Sequence, residues 1–144
     1  MNGIKKLRII YLIFIVLFLD SVLAMSFQYF FSKDATSNEN IFTSYLEKII
    51  VVLVIAPIIE VFLFQYLIIN LIKRYSANIV VQIFISATIF GLVHCYSVPH
   101  MIKGFLAGIL YAALFILLNL KSRYGFFYVV LTHMIYNAHV SLIL

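Results

Sequence analysis

Four polar side chains stand in otherwise apolar segments of this sequence and have the residue types that acid–base chemistry uses: Glu60, His94, His133 and Asn137. An acidic residue at the centre of a membrane helix costs about 2.5–3.5 kcal/mol, so Glu60 is expected to face protein and to have a function. A water held between Glu60 and His94 could be activated by the carboxylate for attack on a peptide carbonyl. His133 and Asn137 could donate hydrogen bonds to the developing oxyanion. The residue types therefore predict a hydrolytic site.

The spacing of these residues along the chain supports a shared site. His133 and Asn137 are four residues apart, so they lie on one helix face, one turn from each other. On the third apolar segment, Gly91 lies three residues before His94 and leaves room on the helix face of His94 for a neighbouring backbone or for a substrate. At about 1.5 Å per residue, Glu60 lies near mid-membrane and His94 nearer the outer edge, so convergence requires tilted or kinked helices.

The same side chains allow a second scheme that uses a metal ion. Glu60, His94 and His133 form a two-histidine, one-carboxylate set, which in zinc hydrolases leaves an open position for water. Their spacing in the chain matches no compact zinc motif. The residue types alone therefore favour neither the metal-free nor the zinc-dependent scheme.

The elements that position these residues are predicted to be membrane helices. The chain has 144 residues, of which 65% are hydrophobic and 10% charged, whereas soluble domains are about half apolar and a quarter charged. The net charge of +5 suggests nucleic-acid binding, but the basic residues lie in small groups between apolar segments, as membrane topology signals do. We therefore exclude a nucleic-acid partner and expect a lipid bilayer around the chain.

The apolar segments predict a single all-α domain over 1–144, a polytopic bundle of about five transmembrane helices at 9–27, 49–72, 77–98, 104–120 and 124–144. Pro57 predicts a kink one turn before Glu60 and free carbonyls that neighbours or water must satisfy. Pro99, His100 and Lys103 predict a short turn between the third and fourth helices.

The first segment has two interpretations. Its basic start and the sequence Val22-Leu23-Ala24 resemble a cleaved signal peptide, whereas the apolar residues that resume after Asp20 favour a retained helix. We favour the retained helix, because later helices need partners to bury their polar faces. Asp20 is interpreted as a solvated carboxylate near the end of this helix.

Basic residues between the helices predict the orientation of the chain. Three of them, Lys33, Lys48 and Lys103, lie on one side, against seven on the other: Lys5, Lys6, Arg8, Lys73, Arg74, Lys121 and Arg123. By the positive-inside rule the N-terminus is cytoplasmic. Richness in Ile, Phe, Tyr, Lys and Asn is typical of AT-rich bacterial genomes, so we predict a multi-pass protein of the bacterial inner membrane.

Three short motifs resemble those of one membrane protease family. Glu60 follows Ala-Pro-Ile-Ile, and the later helices carry Phe90-Gly-Leu-Val-His94 and His133-Met-Ile-Tyr-Asn137. This order resembles the CPBP family, which comprises CAAX proteases and bacteriocin-processing enzymes and is also called Abi. The resemblance covers about 56–137, more than half of the chain. It implies that Glu60 activates water, and it favours catalysis without a metal cofactor.

The first motif departs from the family pattern, which is Glu-Glu-x-x-x-Arg. Here Glu60 takes the first position, and Val61 and Gln65 replace the second glutamate and the arginine. Losing one acid and one base together keeps the local charge balanced. If that pair held a helix or a substrate terminus, its loss weakens activity or changes the substrate.

These observations predict an intramembrane endopeptidase of the CPBP type that cleaves a membrane-associated, prenylated or bacteriocin-like peptide. The altered first motif supports an alternative, a catalytically impaired family member that acts as a bacteriocin self-immunity or scaffold protein. A third interpretation is a proton or ion carrier that uses Glu60 and the histidines as a relay. A Glu60→Gln variant separates the first two, because a scaffold keeps its phenotype and a protease loses cleavage.

Overall fold

The computed structural model describes residues 3–31, 42–120, 122 and 124–143 of the chain. Within these residues the structure contains no strand and five long helices, which we label α1 (Gly3–Phe31), α2 (Tyr45–Lys73), α3 (Ile79–Val93), α4 (Val98–Asn119) and α5 (Gly125–Ile143). The predicted all-α bundle is confirmed. Lys33, Lys121 and Arg123, used above for the orientation, lie outside the described residues, as does most of the loop after α1.

Three of the helices found in the described residues, α1 from Leu7, α2 and α4, are long and apolar enough to cross a membrane. In α1 and α2 only 22% of the most apolar stretch is buried inside the protein. Large apolar side chains therefore face outward over most of both helices, and lipid is the environment that accommodates them. α3 is a shorter apolar helix, and α5 interrupts its apolar sequence with two histidines and an asparagine.

The third helix is shorter than the predicted 77–98. α3 has 15 residues and ends at Val93, and His94 leaves the helix with φ −87° and ψ 41°. His94 is thus a helix-end residue, with a backbone N–H that bonds to the carbonyl of Gly91. The segment after it turns at once into α4.

The fourth helix begins earlier than the predicted Gly104. Ser97 is its N-cap and accepts a hydrogen bond from the backbone N–H of His100, and Pro99 lies in the first turn. The prediction of a turn at Pro99, His100 and Lys103 is wrong, because serine at the N-cap and proline just inside the helix are signals that start a helix.

Glycines allow α3 and α4 to pack closely. A Cβ atom at Gly91 would lie 2.8 Å from the carbonyl oxygen of Met101, and one at Gly108 would lie 2.9 Å from the Cα of Ala87. Small residues on both helices thus let the two backbones approach closely. The space at Gly91 is filled by the backbone of α4, which settles the two alternatives left open for this residue.

One face of α1 packs against α4 and α5. The buried residues of this face are spaced by seven, four and four, a helical period: Ile9, Val16, Asp20 and Ala24. The interpretation of Asp20 as a solvated carboxylate is wrong, because its exposed fraction is 0%. Its position on the packed face of α1, rather than its position along the chain, decides its burial.

Candidate active site

Glu60 and His133, which lie 73 positions apart in the sequence numbering, meet between α2 and α5. The Nε2 atom of His133 is 3.5 Å from the Oε2 atom of Glu60, and the two side chains are 7% and 25% exposed, respectively. Glu60 therefore faces protein, as predicted, and keeps one side open. Catalytic hydrogen bonds in unliganded sites are often this long and tighten when substrate binds.

The ring of Phe90 contacts both His94 and His133 and so links His94 to this pair. The Phe90 centroid is 4.6 Å from that of His94 and 6.4 Å from that of His133. From the connected ends of α2 and α3, Glu60 lies about 20 Å along its helix and His94 about 22 Å, at 1.5 Å per residue. With the helix bounds that the structure shows, the predicted mismatch in depth largely disappears.

The tautomer of His94 follows from its backbone partner. Its Nδ1 atom is 2.7 Å from the carbonyl oxygen of Phe90. A carbonyl only accepts, so Nδ1 carries the proton and donates it, and Nε2 of the neutral ring has a lone pair. His94 thus presents an acceptor nitrogen, the form in which an imidazole orients a water molecule.

Asn137 supports α2 as well as lying one turn from His133. Its Nδ2 atom donates to the carbonyl of Val52 at 2.9 Å. Val52 belongs to a π-helical segment, Val51–Ile55, in which the partner of its carbonyl would be the N–H of Pro57. Proline has no N–H, so the asparagine side chain satisfies the carbonyl that Pro57 frees. This is the neighbour that the sequence predicts for the proline.

We expect Asn137→Leu to destabilise the protein by about 1–3 kcal/mol, because it leaves the partly buried carbonyl of Val52 without a donor. The matched control is Asn70→Leu, since Asn70 donates to a carbonyl of its own helix at an exposed position. Thermal unfolding in detergent micelles measures both variants. Equal melting temperatures for the two would show that the Asn137 bond contributes nothing to stability.

The structure adds two residues to the site that the sequence did not identify. The hydroxyl of Tyr111 on α4 donates to Oδ2 of Asp20 on α1 at 2.7 Å, and both residues are buried. The Tyr111 ring stacks on the imidazole of His133, with centroids 4.6 Å apart and planes at 21°. The signal that identifies Glu60, an acid within an apolar helix, applies equally to Asp20.

The two positions at which the first motif differs from the family pattern are both inside the protein. Val61 and Gln65 are fully buried, on the π-helical segment that follows Glu60. The side-chain oxygen and nitrogen of Gln65 have no hydrogen-bond partner among the described residues. The valine is thus an ordinary core residue, whereas the glutamine leaves an amide in the core that no neighbouring protein group satisfies.

The described residues hold no preformed cluster of metal ligands. Among them, no group of three or more His, Cys, Asp or Glu side chains is close enough to hold one. Glu60 and His133 are adjacent, and the third candidate ligand, His94, uses its Nδ1 atom for the carbonyl of Phe90. No step proposed below therefore depends on a metal.

Comparison with known proteins shows the family of the chain. The family model for the type II CAAX prenyl endopeptidases, described as Rce1-like, matches residues 42–139. The chain belongs to this family. The resemblance predicted from the three motifs is confirmed, and the matched residues include Glu60, His94, His133 and Asn137 but not α1. No curated protein and no solved structure matches the chain.

Membership in the Rce1-like family places the chain among membrane proteases that act on peptides. The apolar helices of the structure agree with a protein embedded in the membrane. The matched region begins shortly before α2 and ends within α5, so it contains each pair of helices that brings predicted site residues together.

Proposed function

We propose that this Rce1-like chain is an intramembrane endopeptidase that hydrolyses a peptide bond in a prenylated or otherwise membrane-associated substrate. The observation that carries the proposal is the contact between Glu60 and His133 across two helices, at 3.5 Å. It supports a preassembled acid–base pair, since a carboxylate and an imidazole from separate apolar helices meet at a point that is open on one side. The family match supports the reaction class.

Glu60 is the general base in this scheme. It accepts a proton from a water molecule held between its carboxylate and Nε2 of His94, and the hydroxide attacks the scissile carbonyl. The carbonyl carbon becomes tetrahedral, and the proton held by Glu60 then passes to the leaving amine as the C–N bond breaks.

His133 and Asn137 stabilise the oxyanion. His133 donates from Nε2, the atom that faces Glu60. Asn137 uses one N–H for the carbonyl of Val52 and has a second that can donate to substrate. Each such donor in an oxyanion hole contributes about 10²–10³-fold to kcat.

We propose the bacterial inner membrane as the location, with the N-terminus cytoplasmic and the lipid bilayer and a peptide as partners. The distribution of basic residues in the sequence supports this orientation. The preferred scheme uses no cofactor.

The test is cleavage of a farnesylated peptide with a C-terminal CAAX sequence, labelled with a donor–quencher pair across the scissile bond, by the purified protein in liposomes. We expect a fluorescence increase that depends on the protein. Mass spectrometry should show two fragments whose masses sum to that of the substrate plus one water, as hydrolysis of a single peptide bond requires. The same peptide without the farnesyl group measures the contribution of the lipid. Intact peptide after prolonged incubation would contradict the proposal.

A second candidate is a family member that binds membrane peptides without cleaving them, as a self-immunity or scaffold protein. Two observations favour it: Val61 is an ordinary core residue, and Gln65 leaves its amide without a partner. Retention of the labelled peptide by the liposomes with no product would support this candidate.

A further inference from the structure

The part of α1 near Asp20 reaches the candidate site although α1 lies outside the residues that the family model matches. Asp20 has an exposed fraction of 0% and accepts a hydrogen bond from Tyr111 at Oδ2, while its Oδ1 has no hydrogen-bond partner among the described residues. A carboxylate buried in a membrane helix is costly and is retained where it has a role. The proposed chemistry gives Asp20 none.

Tyr111 connects this carboxylate to the site. Its hydroxyl is held by Asp20 at 2.7 Å, and its ring stacks on His133 with centroids 4.6 Å apart. The hydroxyl oxygen lies on the long axis of the ring, so this hydrogen bond fixes the far end of the ring and prevents tilting. Rotation about that axis is restricted by packing, because Tyr111 is only 1% exposed. The face of Tyr111 is thus a fixed wall for the imidazole.

His133 is packed from several sides by aromatic rings. Tyr111 stacks on it at 21°, Phe90 meets it at 64° with centroids 6.4 Å apart, and Tyr136 lies 6.5 Å away. Its Nδ1 atom has no hydrogen-bond partner among the described residues. Imidazoles in catalytic sites are usually oriented by a hydrogen bond at the second nitrogen. Here ring packing takes over that task.

We infer that Asp20 and Tyr111 are positioning residues for the candidate site: the hydrogen bond between them fixes the Tyr111 ring, and the ring orients His133 so that Nε2 faces Glu60. The inference rests on the proposed function for its effect on catalysis. Its structural content, the orientation of His133, stands without it.

The test uses Asp20→Leu, Tyr111→Phe and the double variant Asp20→Leu/Tyr111→Phe in the full chain. The double variant removes both polar partners and leaves the stacked ring, so it remains foldable if a single change leaves a buried group unpaired. Ser86→Ala is the matched control, because its hydroxyl donates to the carbonyl of Phe64 in an equally buried bond between two helices.

In the assay with the farnesylated peptide, we expect each Asp20 or Tyr111 variant to lower kcat by about tenfold to 100-fold with little change in KM, as for a misplaced catalytic group. Ser86→Ala should lower the melting temperature without this loss of kcat. The double variant should keep the loss of kcat even where its stability is restored. Recovery of kcat together with stability would reduce the pair to a structural role and overturn the inference.

NMR spectra of the protein labelled at histidine, recorded in micelles, give a measurement that does not need turnover. The ring current of the stacked phenol moves the His133 signals upfield, and we expect this displacement to shrink in all three variants and to persist in Ser86→Ala. Unchanged His133 signals in the variants overturn the inference, whatever the kinetics. A wild-type protein that shows these shifts but cleaves nothing supports the positioning and contradicts the proposed function.

Discussion

Replacing Glu60 with Gln will lower the rate of peptide cleavage by about 10²–10⁴-fold, the contribution of a positioned general base. The amide has the shape of the carboxylate but accepts no proton from water. Its side-chain oxygen can still accept from Nε2 of His133, which lies 3.5 Å from Oε2 in the wild type. The side chain is also partly exposed, so loss of its charge should leave the protein folded.

The matched control for this change is Glu47→Gln on the same helix. Glu47 bonds to Thr43 at the start of α2, far from the site in sequence, and accepts from the backbone N–H of Thr43 at 2.8 Å. The Glu47→Gln variant should cleave the peptide at the wild-type rate. Initial rates in liposomes, with a melting curve for each variant, make the comparison. A Glu60→Gln protein as active as wild type would remove Glu60 from the chemistry.

His133→Phe will lower kcat by about 10²–10³-fold, the effect of losing one oxyanion donor. Phenylalanine retains an aromatic ring for the stack on Tyr111, whose centroid lies 4.6 Å away. It removes Nε2, the atom that faces Glu60. It also removes the buried Nδ1, which has no hydrogen-bond partner among the described residues, so the melting temperature should not fall.

His139→Phe is the control, because it makes the same change at an exposed position on the same helix. Steady-state kinetics with the farnesylated peptide should show wild-type kcat for this variant. A His133→Phe protein that loses stability but keeps kcat would show that the imidazole serves packing alone. Loss of kcat at constant stability separates the chemical role from the structural one.

Helix ends show how far local sequence signals reach. The predicted end of the third helix at 98 followed the length of the apolar run, whereas α3 ends at Val93. Ser97 and Pro99 start α4 instead, since the serine caps the first turn and the proline fits inside it. These signals are present in the sequence. A prediction based on the length of the apolar run overlooks them, because the run continues across them.

In the candidate site, too, the sequence predicted some contacts and helix packing decided the others. The prediction that Glu60 meets an imidazole was based on motif order, and the contact with His133 agrees with it. The partner of Asn137 was not predictable, because any carbonyl freed near Pro57 was a candidate and helix rotation selects Val52. Asp20 was misplaced for a related reason: its depth in α1 was counted along the chain, but its burial depends on which face of α1 meets α4.

The sequence by itself determined a helical membrane protein, the order of the three motifs and the cost of an acid in an apolar helix. These depend on composition and on spacing within single helices, which are local properties. Only the tertiary structure decided that Glu60 faces His133, that Tyr111 stacks on that imidazole, and that α1 supplies a buried carboxylate. The rotation and crossing of helices depend on close contacts, such as those at Gly91 and Gly108, which involve residues far apart in the chain.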